Sequence, residues 1–429
     1  MKVVIATENA SLRMSGESAL ALYYFERLRK RNVDVWMVCH ERVRDELREM
    51  FPNDEDFSKI RFVEDSWLQK IISQWGRFTP FRIRDRILGQ WIHLNTQTRM
   101  RSVVKRLIEE FDIQLVFEPS PIAPKAVSCM YDLGVPVVIG PLCGGMEFPP
   151  AFRYLEPPLD RISTNVGRVL SEILHRLMPG KLQADVLLVA NERTAKALPK
   201  GCKGKVYEVV ESGVDLTIWE PTDRPEPDPS RPTRFVYMAR FVDQKGIPFL
   251  VEAFKQVAEQ TNSVLELIGS GELLDATKAQ VAALNIQDKV NFHGWMSLDA
   301  AAELISDCDV YMVPALRDCG GCAMLEAMAI GMPVIAANWA GPGEYADETC
   351  GFVVDPTTKE DFINGLAQAM IRMAQSPELR KQLSEGSIQR VKTKYFDWDS
   401  KTDRVIEIFE ETLAQGKKSG CVPEAALIS

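Results

Sequence analysis

Residues 220–234 read EPTDRPEPDPSRPTR, with five prolines and no apolar periodicity. Proline cannot donate to a helix or sheet ladder, so this cluster marks a linker or domain edge. The same pattern runs on either side of the break. Upstream, short apolar runs at Lys2–Thr7, Val33–Cys39, Gln114–Phe117, Val135–Gly140 and Val186–Ala190 alternate with helix-length stretches. One of these stretches, Glu17–Arg31, sets Leu20, Tyr23, Tyr24 and Leu28 on one face. Downstream, Phe235–Ala239, Val264–Ile268, Val290–Phe292, Val310–Pro314, Pro333–Ala337 and Gly351–Val354 read as six further strands with helices between them. Such alternation implies a parallel sheet with helices on both faces. Near-continuous apolar strands such as VPVVIG and DVLLVA fit strands covered on both sides. Two doubly wound α/β domains follow, the first ending near Val210 and the second starting near Gly213. In open sheets of this kind, ligands bind beyond the carboxyl ends of the strands.

Composition narrows the class. A chain of 429 residues has room for two large domains or three of about 150 residues. Its 46% apolar and 26% charged residues exclude disordered, collagen-like and fibrous classes. Sixty acidic residues against 51 basic ones leave a net charge of −9, which argues against nucleic acid as a partner. Nine scattered cysteines are too sparse for a disulfide scaffold and suit a reducing compartment. The N-terminus has no basic region followed by an apolar core, and no run of about 18 apolar residues occurs. A soluble, cytoplasmic protein is the expectation.

One segment departs from the average. Residues 66–108 hold nine basic side chains (Lys70, Arg77, Arg82, Arg84, Arg86, Arg99, Arg101, Lys105 and Arg106) against Asp85 alone, with Trp67, Trp75 and Trp91 among them. Basic residues interleaved with tryptophan suit docking onto an anionic membrane face without insertion. Solvated helix faces with core aromatics are the plainer reading.

The second domain carries the chemistry. Its first strand ends in Ala239-Arg240 and continues FVDQKGIPFLVEAF, which puts Arg240 and Lys245-Gly246 on a loop at the strand's carboxyl end. Two cations there suit a diphosphate. Ile268-Gly269-Ser270-Gly271-Glu272 is a tight strand-to-helix turn that lacks the third glycine of a dinucleotide fingerprint. In RDCGGCAMLEAMA, residues 317–329, Asp318 and Glu326 stand eight apart around a glycine turn that opens a helix. The amides at that helix start would form an anion site, and Glu326, about a turn in, would accept from ribose hydroxyls.

These pieces together resemble the nucleotide-sugar domain of family 4 retaining glycosyltransferases, whose fold is the two-domain GT-B. The resemblance covers residues 212–356 and rests on SGVDLTIWEP, ARFVDQKG, LELIGSGE, VNFHGW, and RDCGGCAMLEAMAIGMPVIA followed by GPGEYADETCGFVVDP. In the first domain, VPVVIGPLCGGMEFPPAF is similar to a loop of bacterial exopolysaccharide-type members. The implied architecture is an N-terminal acceptor-side domain over 1–211 facing a donor domain over 212–395 across a cleft. A closing helix at about 396–415 crosses back to the first domain, and 416–429 form a loose tail.

The resemblance also implies roles. Arg240 and Lys245 would hold the diphosphate of a UDP- or GDP-sugar and neutralise the leaving group. Asp318 and Glu326 occupy the family's E-x(7)-E positions, meeting the donor sugar and the ribose respectively. Gly320, Gly321 and Cys322 would offer backbone amides, Gly269 would line the donor turn, and His293 in Phe-His-Gly lies where the base sits. Gly16 in RMSGES matches the first-domain glycine loop. Two departures stand out. Asp318 replaces the usual Glu, and the histidine many members carry after the fourth strand is absent, leaving Glu118 as the nearest polar group on the acceptor side.

The implied activity is metal-independent transfer of a hexose to a glycan or lipid-linked glycan with retention, on the inner membrane face. Asp54-Glu-Asp56 and Asp397-Trp-Asp399 mimic a metal-binding D-x-D but lie away from the proposed site. Cys319 and Cys322 form a single C-x-x-C within the glycine turn, so no metal or cofactor is expected. His40, His93 and His175 read as isolated structural residues. Two alternatives remain: an enzyme glycosylating a soluble small molecule, and a catalytically silent scaffold of the same fold.

Overall fold

The computed structural model describes residues 1–67, 69, 71, 89–156, 171–221 and 231–419. The chain divides into two compact units, Met1–Gly145 with Thr164–Glu211 and Lys401–Ser429, and Met146–Ser163 with Ser212–Ser400.

The first unit holds seven parallel strands: β1 (Lys2–Ala6), β2 (Asp34–His40), β3 (Ile60–Val63), β4 (Leu115–Glu118), β5 (Val137–Leu142), β6 (Val186–Val189) and β7 (Lys205–Glu208), in the order β3-β2-β1-β4-β5-β6-β7. The central strands are apolar on both faces because helices cover both. Val4, Val38, Val116, Ile139 and Leu187 lie in one buried cluster with Met100, Val104 and Leu107 of the helix Gly89–Phe111. The helix Gly16–Lys30 begins at Ser15, whose hydroxyl accepts from the Ser18 amide and satisfies one of the first-turn donors. The edge strands β3 and β7 escape the sequence reading because each is four residues long with charged residues breaking the apolar run (IRFV and KVYE).

The second unit holds six parallel strands: β8 (Thr233–Met238), β9 (Ser263–Ile268), β10 (Val290–Gly294), β11 (Val310–Val313), β12 (Val334–Ala337) and β13 (Gly351–Val354), in the order β10-β9-β8-β11-β12-β13. All six were legible as apolar runs. In each sheet the strand order reverses once, between β1 and β4 in the first and between β8 and β11 in the second. Loops leaving the two strands at such a point diverge and open a crevice.

Two boundaries differ from the sequence reading. Residues 146–156 group with the second unit although they precede the last strands of the first. Phe152 is fully buried there, packing edge-on against Phe249 and Phe362 at 5.1 and 5.7 Å, and the Trp339 indole donates to the Glu147 carbonyl at 2.8 Å. The final helix, Trp398–Ser419, runs four residues past its expected end, so 416–419 are helical rather than loose. Its later part packs on the first unit through Phe409 against Phe117 at 5.2 Å and through an Arg31–Asp403 ion pair. Residues 420–429 lie outside the described residues, as do Lys70, Trp75, Arg77, Arg82, Arg84 and Arg86 of the basic segment. Within the described part of that segment, Trp67 and Ile71 are 72% and 42% exposed.

Candidate functional site

The switch point of the second unit gathers most of the site residues that the sequence singled out. After β8 the chain makes one short turn, Asp243–Lys245, and then Gly246 opens the helix Ile247–Gln260. Gly246 has φ +68°, and a Cβ on it would lie 2.0 Å from the Pro314 carbonyl just past β11. No side chain fits there, so glycine lets the two loops close on each other. The Gln244 carbonyl accepts from the Leu316 and Arg317 amides at 2.9 and 3.3 Å. Across this seam the Lys245 ammonium forms an ion pair with the Asp318 carboxylate, both about one-quarter exposed or less. The other Asp318 oxygen accepts from the Cys319 amide at 3.1 Å. Gly341 packs on the far side, where a Cβ would fall 1.8 Å from the Cys319 carbonyl. That close approach of the GPGE loop carried no signal in the sequence.

Arg240 stands one residue past Ala239 and is exposed. Among the described residues its guanidinium has no hydrogen-bond or ion-pair partner. The helix Cys322–Ala329 starts from Gly321, in extended backbone, with no side-chain cap. The positive end of the helix dipole lies at this start and favours an anion there. Cys322 is exposed and Gly321 half-buried at this start. Glu326 lies in the second turn beside the buried Tyr311 hydroxyl. Burial alone pushes its carboxyl up to about 7. A carboxyl in this state is under-solvated, and hydroxyl donors from a ligand would relieve it.

Gly269 has φ +125°, and its Cβ position lies 2.0 Å from the Ala239 carbonyl, so only glycine lets β9 turn this close to β8. Its amide donates to the Gly294 carbonyl at 2.7 Å, which binds the turn to the end of β10. One ring nitrogen of His293 is held by a buried carboxylate. Its Nε2 meets Glu266, 2% exposed, at 2.7 Å, and Arg234 meets the other oxygen of Glu266 at 3.0 Å. Burial works to raise the Glu266 carboxyl, and His293, Asn291 and Arg234 together hold it below its ordinary value.

The remaining candidates lie in the first unit. Gly16 is the first residue of its helix, with open space where a Cβ would be. Glu118 ends β4 and is 1% exposed. Burial pushes its carboxyl up, while Ser128, Lys181 and Gln97 beside it work the other way. Burial also pushes the fully buried Lys181 down, and its ammonium donates to the Ala123 carbonyl at 2.7 Å. Glu118 is thus a buried carboxyl rather than an open ligand contact. The two D-x-D decoys have local uses: Asp54 and Asp56 pair with Arg48 and Arg29, and Asp397 caps the final helix by accepting from the Ser400 amide at 2.8 Å.

Comparison with known proteins agrees with the geometry. Residues 220–390 match the family Glycosyl transferases group 1. The putative colanic acid biosynthesis glycosyltransferase WcaL of Escherichia coli is 26% identical over 217 residues, 48% of this chain and 52% of WcaL. The lipopolysaccharide core biosynthesis glycosyltransferase LpsD of Rhizobium meliloti is 29% identical over 42% of this chain and 50% of LpsD. The chain spans about half the length of the curated relatives it matches. Among solved structures, HepE of Anabaena in complex with UDP aligns with TM-score 0.62 at 14% identity, covering 96% of this chain and all of HepE. Sucrose-phosphate synthase of Thermosynechococcus elongatus aligns with TM-score 0.64 at 16% identity, covering 97% of this chain and all of that one. At these identities the likeness is one of fold, and the fold is GT-B, as the sequence resemblance implies.

The Glu326 carboxyl gives a pH test. Its folded value of about 7 lies above the ordinary 4.5, so the folded chain binds the proton more tightly. Stability from this group is therefore present below pH 4.5 and is lost as pH rises through 7, by about 3 kcal/mol in all. Urea unfolding of Glu326→Gln against the unsubstituted chain should show the variant losing less stability between pH 5 and pH 8. Parallel pH profiles would show that Glu326 is not desolvated.

Proposed function

We propose that the chain is a glycosyltransferase that moves a hexose from a UDP- or GDP-sugar to a glycan or lipid-linked glycan, with retention at the anomeric carbon. The observation that carries this reading is the second unit's switch point. There Arg240, with no partner among the described residues, the Lys245–Asp318 pair, an uncapped helix start and a desolvated Glu326 in that helix lie together. Each part suits a different piece of a sugar nucleotide. Arg240 and Lys245 would take the diphosphate, with the Gly321–Cys322 amides adding uncharged donors. Glu326 would take the ribose hydroxyls, and Asp318, freed as Lys245 turns to the phosphates, would take the sugar. The match of 220–390 to group 1 glycosyltransferases and the UDP bound by HepE support this assignment.

In this mechanism the bond from the anomeric carbon to the diphosphate oxygen breaks through an oxocarbenium-like state. The acceptor oxygen attacks on the same face. The cations and helix amides stabilise charge that grows on the leaving diphosphate, which is electrostatic catalysis without a protein nucleophile. Two cations and a helix terminus can do this without a divalent metal, so the activity is proposed to be metal-independent. The relatives named for colanic acid and lipopolysaccharide core support polysaccharide or glycoconjugate assembly as the setting. We place the enzyme in the cytoplasm, at the inner membrane face. The exposed Trp67 and Ile71 beside the basic stretch 66–108 support membrane contact.

Two measurements check this reading. Nucleotide release from UDP-glucose and GDP-mannose, with octyl β-glucoside as acceptor, should persist in EDTA and fall at least a hundredfold in Arg240→Ala. Activity that vanishes in EDTA, or that Arg240→Ala leaves intact, would contradict it. Co-sedimentation with phosphatidylserine-containing vesicles should be strong at low salt and lost at high salt. Equal binding to neutral vesicles would remove the membrane proposal.

A further inference from the structure

Residues 147–156, EFPPAFRYLE, belong to the second unit. Pro150 opens the short helix Pro150–Leu155, since its fixed φ and missing amide suit a first helical position. That helix turns Phe152 into the core against Phe362 and against Phe249, which stands in the helix that Gly246 opens. The residues flanking it reach the loops on either side of Asp318. On the β11 side, the Arg317 guanidinium pairs with Glu156 at 3.6 Å and lies over the Phe148 ring, 5.6 Å from its centroid. Phe148 is buried and the paired side chains are 32% and 17% exposed, so a planar cation is held by a ring and a carboxylate together. On the β12 side, the Trp339 indole donates to the Glu147 carbonyl at 2.8 Å.

Asp318 is thereby held through its neighbours as well as through its own carboxylate. Its carbonyl accepts from the Gly341 amide at 3.2 Å, two residues beyond Trp339, and Arg317 immediately precedes it. Between Trp339 and Gly341 stands Ala340, with φ +54°, in the left-handed region that favours glycine. A residue with a side chain stays there only where its surroundings over-determine the backbone. The bonds made by Trp339 and Gly341 restrain Ala340 from both sides. The 147–156 segment thus grips the β11 loop through Arg317 and the β12 loop through Trp339, and Asp318 lies where the two loops meet.

We propose that residues 147–156 are a strap that preorganises the contact with the donor sugar, and that Arg317 and Trp339, gripped by it, are positioning residues for Asp318. This inference rests on the glycosyl-transfer reading above, in which Asp318 takes the sugar. A short carboxylate that must turn from Lys245 to a sugar hydroxyl keeps its aim only if the backbone beneath it is fixed. The strap fixes that backbone from two loops at once. The diphosphate contacts assigned to Arg240, Lys245 and the helix start involve neither Arg317 nor Trp339. Loosening the strap therefore weakens the hold on the sugar and spares the hold on the nucleotide.

Hydrogen exchange of the full chain tests the grip without any ligand. Arg317→Gln and Trp339→Phe should each speed exchange of the Cys319 and Gly341 amides about tenfold or more and leave the amides of β8 and β11 unchanged. In the transfer assay with UDP-glucose or GDP-mannose, each variant should lower kcat/KM about tenfold or more and leave the Kd of free UDP or GDP unchanged. Arg317→Lys, which keeps the charge facing Glu156, should recover part of the loss. In an Asp318→Asn background Arg317→Gln should cost nothing further, because a positioning residue acts through the group it positions. Unchanged exchange at Cys319 and Gly341, equal losses for nucleotide and sugar nucleotide, or a full additive loss in the Asp318→Asn background overturns the proposal. Failure of UDP and GDP to stabilise the unsubstituted chain strikes the transfer reading itself. The two failures are separable because exchange is read without nucleotide.

Discussion

The arrangement of the second unit depends on the seam between the loops after β8 and β11. Gly246 must be glycine for the seam to close, and once it closes, Lys245 and Asp318 meet across it. An exposed ion pair is worth little, because water screens it and both side chains lose freedom. This pair is largely shielded, so its charges see each other more strongly, and neither can be removed without stranding the other. In the proposed reading, a diphosphate would take the place of Asp318 beside Lys245, so that the ammonium would not be left unpaired. Aspartate, one methylene shorter than the glutamate of related motifs, keeps that pairing close to the backbone: its second oxygen is already bound to the next amide. Arg240, outside the seam, is the cation that needs no exchange.

The two sheets obey one rule in different chemistry. Each reverses strand order once, and in each the reversal is where ionisable groups converge. In the second unit the convergence is cationic and amide-rich, suited to a phosphate. In the first unit the convergence is of carboxylates and imidazoles, with Glu8 held by His93 and Arg42. Burial sets the energetic scale at both. Glu326 and Glu118 are held with their carboxyls pushed up by desolvation, a cost that the fold accepts at places where a ligand or a neighbouring charge can offset it.

Much of this was legible in the sequence, and the losses have physical reasons. Central strands such as VLLV and VVIG are apolar on both faces, so they announce themselves; β3 and β7 are four residues each, interrupted by charge, and do not. The loops after β8 and β11 were legible because glycine and charged residues occur together there at short spacing within each loop. Phe152 leaves its sequence neighbours for the second unit, and no local pattern signals such a crossing. His293 was legible as a candidate contact at a strand end, but its tie to buried Glu266, 27 residues away in the chain, was not. His93 looked isolated because its partner Glu8 is 85 residues away in the chain. Only the parallel order of β1, β2 and the helix Gly89–Phe111 beside them brings the pair together.

The most direct test of the central claim, that the β8–β11 seam is a nucleotide-diphosphate site, is the thermal unfolding of the chain with UDP, GDP and ADP in turn. Binding to the folded state alone stabilises by about 2.7 kcal/mol at a hundredfold excess over Kd. The account predicts a rise in Tm with UDP or GDP that disappears in the Arg240→Ala/Lys245→Ala double variant. No rise with any nucleotide, or a rise that the double variant retains, would contradict it.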